Sequence, residues 1–176
     1  MKTGVSALLP SRFGGVSRSP GALEDLRARY EEYFAGTGTP GEAIIASTLE
    51  EAAALARFDT VVVHAPTGFI PPKEIELLVP WLDRGFEIIV GARFFPASRL
   101  AQKRAPAPWV WAERLKAAAA GWWAGLGDGR SGFLALRKAT LVKLLETDGR
   151  IDLARAAARG SSMKEVGVMW IAEKTR

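Results

Sequence analysis

The chain has 176 residues, 48% of them apolar, enough for one compact domain with an adequate core and no second one. It has no cysteine and one histidine, His64, which removes disulfides, thiolate zinc sites and cysteine nucleophiles, leaves any metal site mostly carboxylate, and confines a Ser-His-Asp triad to His64. Twenty-four Lys and Arg against nineteen Asp and Glu give +5, a balance that favours phosphorylated ligands, acidic lipid surfaces or nucleic acid where it is more than a solvated surface.

Residues 5–9 (VSALL) read as a first buried strand, followed by a loop at 10–21 dense in Gly, Ser and Arg. Such loops offer backbone N–H groups and guanidinium forks to a phosphate, which makes Pro10, Arg12 and Arg18 candidate phosphate-binding residues. The Gly-Lys-Ser/Thr of a P-loop is absent. A helix is expected over 22–34 with Leu23, Leu26, Tyr30, Tyr33 and Phe34 on its apolar side, then a turn-rich connector at 36–41 and a short strand at 43–46 (AIIA). Ser47 or Thr48 caps a helix running through Phe58, with Glu50 and Glu51 well placed in its first turn.

Residues 60–72 (TVVVHAPTGFIPP) organise the rest. Val61, Val62 and Val63 are consecutive β-branched residues, the pattern of a strand covered on both faces. Such a strand delivers residues 64–69 to the carboxyl edge of a sheet, where open α/β folds bind ligands. Pro71 and Pro72 suit the start of a helix at 73–84, Gly85 ends it, and 87–90 (EIIV) forms the next strand, opening into a loop that carries Arg93. Alternation of strand and helix from 5 to 90 is the signature of a doubly wound sheet with helices on both faces.

Residues 98–125 break that rhythm, placing Arg99, Lys103, Arg104, Arg114 and Lys116 among Trp109, Trp111, Trp122 and Trp123. The mixture suits the headgroup region of an anionic membrane, or stacking on single-stranded nucleic acid, or a helix whose tryptophans fill the core. No RNA-binding motif supports the nucleic-acid reading. A loop at 126–132, a short strand or bend at 133–136, helices at 138–146 and 151–159 and a closing strand at 165–171 (EVGVMWI) complete the chain. The longest stretch without a charged side chain, 60–72, has 13 residues, short of the roughly 20 a bilayer crossing needs. Nothing at 1–10 resembles a signal peptide, so a cytoplasmic address is expected, at most peripheral to a membrane.

The second half resembles the family 2 glycosyltransferases, especially the branch of dolichol-phosphate mannose synthases and bacterial polyprenyl-phosphate glycosyltransferases. The matching pieces keep the family's order over about 60–170: Phe69-Ile-Pro-Pro-Lys-Glu-Ile75; Glu87 to Phe94 (EIIVGARF), similar to D-I-V-x-G-S-R-F; Asp128-Gly-Arg-Ser-Gly-Phe133, similar to D-x-x-S-G-F; and Glu165-Val-Gly-Val-Met-Trp170, similar to E-V-P-V-x-W. The resemblance implies a single GT-A-like domain over 1–176, with a nucleotide-binding half at 1–97 and an acceptor-side half at 98–176. It further implies a nucleotide-sugar donor and a polyprenyl-phosphate or similar acceptor. Asp128, Arg130 and Ser131 are then the candidate catalytic residues, with His64, Arg93 and Arg137 beside the donor phosphates. Arg104, Trp109, Trp111, Arg114, Trp122 and Trp123 are the candidate acceptor or lipid surface. Without the resemblance, Gly127-Asp128-Gly129 reads as a tight turn and His64 as a hydrogen-bonded structural residue.

Three departures accompany the match. The family's metal-binding D-x-D falls on His64-Ala65-Pro66, so neither of its carboxylates is present and no metal ligand is carried over; Mg²⁺ or Mn²⁺ stays open as a cofactor, with Glu50, Asp59 or Asp128 as the acids that would replace the missing ones. Arg12 and Arg18 are the candidates to neutralise a diphosphate instead. The acid that normally follows the second strand is also missing, Glu50 being the nearest, and the stretch before residue 60 is short enough to lack a strand and a helix. The first loop, Leu9-Pro10-Ser11-Arg12-Phe13 with Arg18-Ser19-Pro20-Gly21, is instead similar to the P-A-R-x…R-L-P-G loop of sugar cytidylyltransferases. Three functions follow as expectations: a glycosyltransferase working without a D-x-D metal, a degenerate GT-A domain that only binds, or a sugar nucleotidylyltransferase. Asp128→Asn is expected to abolish turnover in the first and to leave binding intact in the second.

Overall fold

The computed structural model describes residues 4–13, 16–65, 70–94, 99–100, 107–148 and 150–170, the side chains of 16, 99–100, 107–110 and 148 excepted. In chain order they form β1 (Val5–Pro10), β2 (Arg12–Phe13), β3 (Val16–Ser17), α1 (Pro20–Thr37), β4 (Gly41–Ala46), α2 (Leu49–Leu55), β5 (Thr60–His64), a 3-10 turn at Pro72–Glu74, α3 (Ile75–Leu82), β6 (Ile88–Ala92) and β7 (Arg99–Leu100). Then follow α4 (Ala107–Gly121), a 3-10 turn at Trp122–Ala124, β8 (Phe133–Arg137), α5 (Lys138–Asp148), α6 (Leu153–Ala158), β9 (Met163–Gly167) and β10 (Met169–Trp170).

Six strands make one sheet in the order β4-β1-β5-β8-β6-β9. All run parallel except β8, which is inserted antiparallel between β5 and β6. The parallel strands end together at Pro10, Ala46, His64, Ala92 and Gly167, and β8 begins at that same edge with Phe133 opposite His64. One apolar layer lies under α1 and α3, built on Leu26, Tyr30, Ile75 and Leu78; the other lies under α2, α5 and α6, built on Leu49, Ala52, Leu141 and Leu153. This is the α/β sheet with helices on both faces that strand and helix alternation requires, and both halves of the chain interleave within it.

The helix ends follow local chemistry. Pro20 occupies the first turn of α1 behind the Ser19 cap, so that helix starts earlier than expected and runs on to Gly38, whose φ of 61° ends it. Thr48 rather than Ser47 caps α2, its hydroxyl accepting from the Glu51 N–H at 3.2 Å, and the Glu51 carboxylate accepts from the Ser47 N–H at 2.9 Å, one residue before the cap. Residues 133–136, expected as a short strand or bend, are part of a fully formed interior strand. The closing strand is split: Val168 donates to the Ala92 carbonyl, and β10 leaves the sheet to pair with β7.

At the amino edge of the sheet Glu42 accepts from the Ser6 hydroxyl at 2.6 Å and from the Arg57 N–H at 2.7 Å and Nε at 2.6 Å. Burial alone would raise this carboxyl, but those hydrogen bonds and the Arg57 charge outweigh it and hold the pKa below the usual carboxylate range. A lowered folded pKa gives stability that is present above the unfolded value, about pH 4.3, and lost as pH falls through the folded one. Between pH 5 and 3 the urea midpoint of the wild type should therefore fall more steeply than that of Glu42→Gln. Parallel slopes would show that this carboxylate is not linked to folding.

Candidate functional site

The loop between α4 and β8 is pinned to the carboxyl edge by groups from three elements. Asp128 is fully buried, and its carboxylate takes both forks of Arg93: Nε and Nη2 each donate at 2.9 Å, and the Arg93 backbone N–H donates at 2.9 Å to the same oxygen as Nε. The Arg93 side chain is itself only 9% exposed, so this is a bidentate ion pair out of water. Ser131 donates to the Gly91 carbonyl and accepts from the Phe133 N–H at 3.3 Å. Glu165 on β9 accepts from the N–H groups of Gly127 at 2.9 Å and Asp128 at 2.7 Å. Asp128, Ser131 and Arg93 are thus brought together, with their polar atoms turned onto one another. Asp128→Asn therefore disturbs the fold whether or not the protein is an enzyme, and it does not separate the two readings it was expected to separate.

His64 ends β5 and is 1% exposed. Its Nδ1 shares a hydrogen bond of 2.9 Å with the Tyr30 hydroxyl, and its ring meets Phe133 edge-on with centroids 5.2 Å apart. Burial raises the Tyr30 phenol far above its ordinary pKa, with the charge of Arg18 acting in the opposite sense and Tyr33 adding to the rise. Arg18 is thereby placed near this buried pair rather than out in solvent. The position that the resemblance assigns to D-x-D faces the core: His64 is bonded to Tyr30, Ala65 is buried, and Pro66 lies outside the described residues. A hard divalent cation needs oxygen ligands, which these side chains do not offer. Among the described residues no group of three or more His, Cys, Asp or Glu is placed to hold a metal.

Beyond the ends of β1 and β4 the same edge opens into a cavity of about 260 Å³. Arg12, Phe13, Ser47, Thr48 and Glu50 line it on one side, Leu145, Arg150 and Ile151 on the other. It offers an aromatic ring, two hydroxyls and two guanidinium groups, with Arg12 exposed and Arg150 3.4 Å from Asp152. Pro10 is the last residue of β1 and leads into it.

The remaining candidates lie elsewhere. Arg137 is at the far end of β8, opposite Thr60, and bonds Thr60 Oγ1 at 2.9 Å and Asp83 at 2.7 Å. Four residue steps along a strand separate it from the carboxyl edge by about 14 Å. Arg130 is exposed, 3.8 Å from Glu113. Trp111, Trp122 and Trp123 are exposed rather than core residues, and Arg114 lies over the Trp111 ring at 5.4 Å. Trp109 is within α4, but its side chain, like the whole of Arg104, lies outside the described residues. Sequence reasoning missed Glu165 and Tyr30 as partners of the site. A lone acid in an otherwise apolar closing strand is the signal that marks Glu165; Tyr30 sits in an ordinary apolar helix face and has none.

No protein-family model matches the chain. No curated protein matches it either. Among solved structures it is similar to glucosyl-3-phosphoglycerate synthase from Mycobacterium tuberculosis bound to phosphoglyceric acid, with a TM-score of 0.50 and 13% identity over 99% of this chain and 73% of that one. The same synthase with Mn²⁺, UDP-glucose and phosphoglyceric acid gives a TM-score of 0.48 and 14% identity over 99% and 72%. The 4-diphosphocytidyl-2C-methyl-D-erythritol synthase of Anaerococcus prevotii DSM 20548 gives 0.48 and 12% over 96% and 90%. At such identities the first likeness is one of fold. The chain accordingly has a GT-A-like fold, a mixed α/β domain of the kind seen in glucosyl-3-phosphoglycerate synthase.

Proposed function

We propose that this protein is a glycosyltransferase-like enzyme that takes a sugar from a nucleotide-sugar and passes it to a polyprenyl-phosphate or similar acceptor, without a D-x-D metal. The cavity at the ends of β1 and β4 is the observation that carries this. Phe13 supplies a face for a base, Ser47 and Thr48 supply hydroxyls for a ribose, and Arg12 supplies charge for a diphosphate. From β1 to β6 is three strand spacings, about 14 Å, so a donor with its nucleoside in the cavity directs its sugar toward the corner held by Arg93 and Asp128. With Asp128 locked to Arg93, that carboxylate shapes the corner and is not a free base. The shared fold with a glucosyl-3-phosphoglycerate synthase supports a transferase without naming the acceptor.

A second reading, binding without transfer, is favoured by the same locked Asp128 and by the turning of His64 into the core. Thermal unfolding with UDP, GDP and CDP and their sugar conjugates, each with and without Mn²⁺, tests both. At a hundredfold excess over Kd a bound donor adds about 2.7 kcal/mol, roughly 5–10 °C in Tm for a domain of this size. One nucleotide-sugar should stabilise the wild type whether or not Mn²⁺ is present, and Arg12→Ala should lose most of that shift. Stabilisation without loss of donor over time when a polyprenyl-phosphate acceptor is supplied assigns the binding reading, and no shift with any donor overturns the donor site.

A further inference from the structure

The outward face of α4 is apolar where a surface helix is ordinarily polar. Trp111, Leu115 and Trp122 are 60%, 67% and 78% exposed, and Trp123, in the next position, is 82% exposed. Offsets of four and eleven residues put the first three within about 40° of one another on a helix, with exposed Ala118 between them. The opposite side is the one that packs: Ala117 and Gly121 are buried, the Ala117 carbonyl accepts from the Gly129 N–H at 3.0 Å and the Gly121 carbonyl from the Leu126 N–H at 3.0 Å. These aromatic side chains therefore do not serve the core. A contiguous exposed apolar patch of this kind marks an interaction surface.

The charge around the patch selects what it meets. Among the described side chains, α4 carries Arg114 and Lys116 against Glu113 alone, and exposed Arg130 of the following loop lies on that same acid. The single acid is already engaged, 3.0 Å from Lys116 and 3.8 Å from Arg130. Arg114 lies over the Trp111 ring, an arrangement that keeps its charge at the rim of the apolar face. A second copy would bring two such surpluses together. A bilayer with anionic lipid offers negative headgroups to the cations and, just beneath them, the depth that tryptophan rings prefer. No helix among the described residues is long and apolar enough to cross a membrane.

We infer that the outer face of α4, with Trp122 and Trp123, docks flat on an anionic lipid surface. The docking stands on exposure and charge alone; only its corollary, that the sugar acceptor is presented by the lipid phase, rests on the transferase reading. Because the end of α4 is bonded to the loop that carries Asp128, docking there brings the carboxyl edge close to the headgroups.

The test is co-sedimentation of the full chain with phosphatidylcholine vesicles, plain or containing one third phosphatidylglycerol, with no nucleotide present. The wild type should partition onto the anionic vesicles, with a blue shift of tryptophan emission, and should be released as salt is raised. Trp122→Ala combined with Trp123→Ala should cut the partition coefficient roughly tenfold or more with Tm unchanged, and Arg114→Glu combined with Lys116→Glu should do the same. Equal binding to plain vesicles, retention by the tryptophan variant, no binding to either vesicle, or a concentration-dependent dimer that the tryptophan variant abolishes would each overturn it. Since donor binding is read without lipid and docking without donor, failure of one leaves the other standing.

Discussion

Asp128→Asn should lower the stability of this protein by about 3–5 kcal/mol, a large share of the 5–15 kcal/mol typical of a domain. The substitution keeps the shape and removes the charge. It leaves the Arg93 guanidinium, 9% exposed in the ion pair, without the carboxylate that receives its two donors, while the Arg93 main-chain N–H loses a charged acceptor. A buried cation that has lost its bidentate carboxylate is the expensive half of a broken pair, so the double variant Arg93→Met with Asp128→Leu should cost less than either single change. Urea unfolding of the two singles and the double measures this directly. A loss under about 1 kcal/mol for Asp128→Asn, or strict additivity in the double, would mean that the pair is not the clamp its geometry describes.

That clamp also explains why the motif is legible in sequence while its role is not. Asp128, Gly129, Arg130, Ser131 and Gly132 are adjacent along the chain, so any reading finds them together. Whether an acid faces substrate or an arginine depends on Arg93, which arrives from 35 residues away, just past the end of β6. The strands themselves were visible because burial on both faces demands uninterrupted apolar runs, as at Val61, Val62 and Val63, all fully buried. Direction along the sheet has no such local mark. Phe133 to Arg137 reads equally well in either sense, and the antiparallel insertion of β8 is what sends Arg137 to the amino edge and away from the phosphate role expected of it.

Faces of helices divide in the same way. α1 is amphipathic in sequence and buries Leu23, Leu26, Tyr30 and Phe34, as its spacing requires. In α4 and the turn after it, tryptophan, leucine and alanine occur on every side, so periodicity does not say which of them turn inward; Trp111, Trp122 and Trp123 prove exposed because the inward side is taken up by Ala117 and Gly121. The cavity was out of reach for another reason. Its lining comes from 12–13, 47–50, and 145 with 150–151, three stretches with no fixed spacing that meet only through the order of strands.

The small residues at that inward side carry the second large effect. Gly121, the last residue of α4, and Gly129, in the clamped loop, meet backbone to backbone. A Cβ on Gly129 would fall on the N and Cα of Gly121, and a Cβ on Gly121 would fall on the Leu126 carbonyl oxygen and 2.9 Å from the Gly129 N. Neither obstacle is a side chain that could swing aside. Neither glycine has a positive φ, so added volume rather than backbone strain is the cause. Gly129→Ala should therefore cost more than the about 1–3 kcal/mol usual for overpacking, because relief requires α4 to move off the loop and surrender the Gly129 to Ala117 hydrogen bond. Gly127 provides the control: a Cβ there meets only the Glu165 carboxylate, at 3.4 Å and beyond, so Gly127→Ala should cost well under half as much. Thermal unfolding of the two variants side by side decides the matter. Equal, small losses would mean that the end of α4 yields easily, and the tryptophan face it carries would then not be held in a fixed relation to the carboxyl edge.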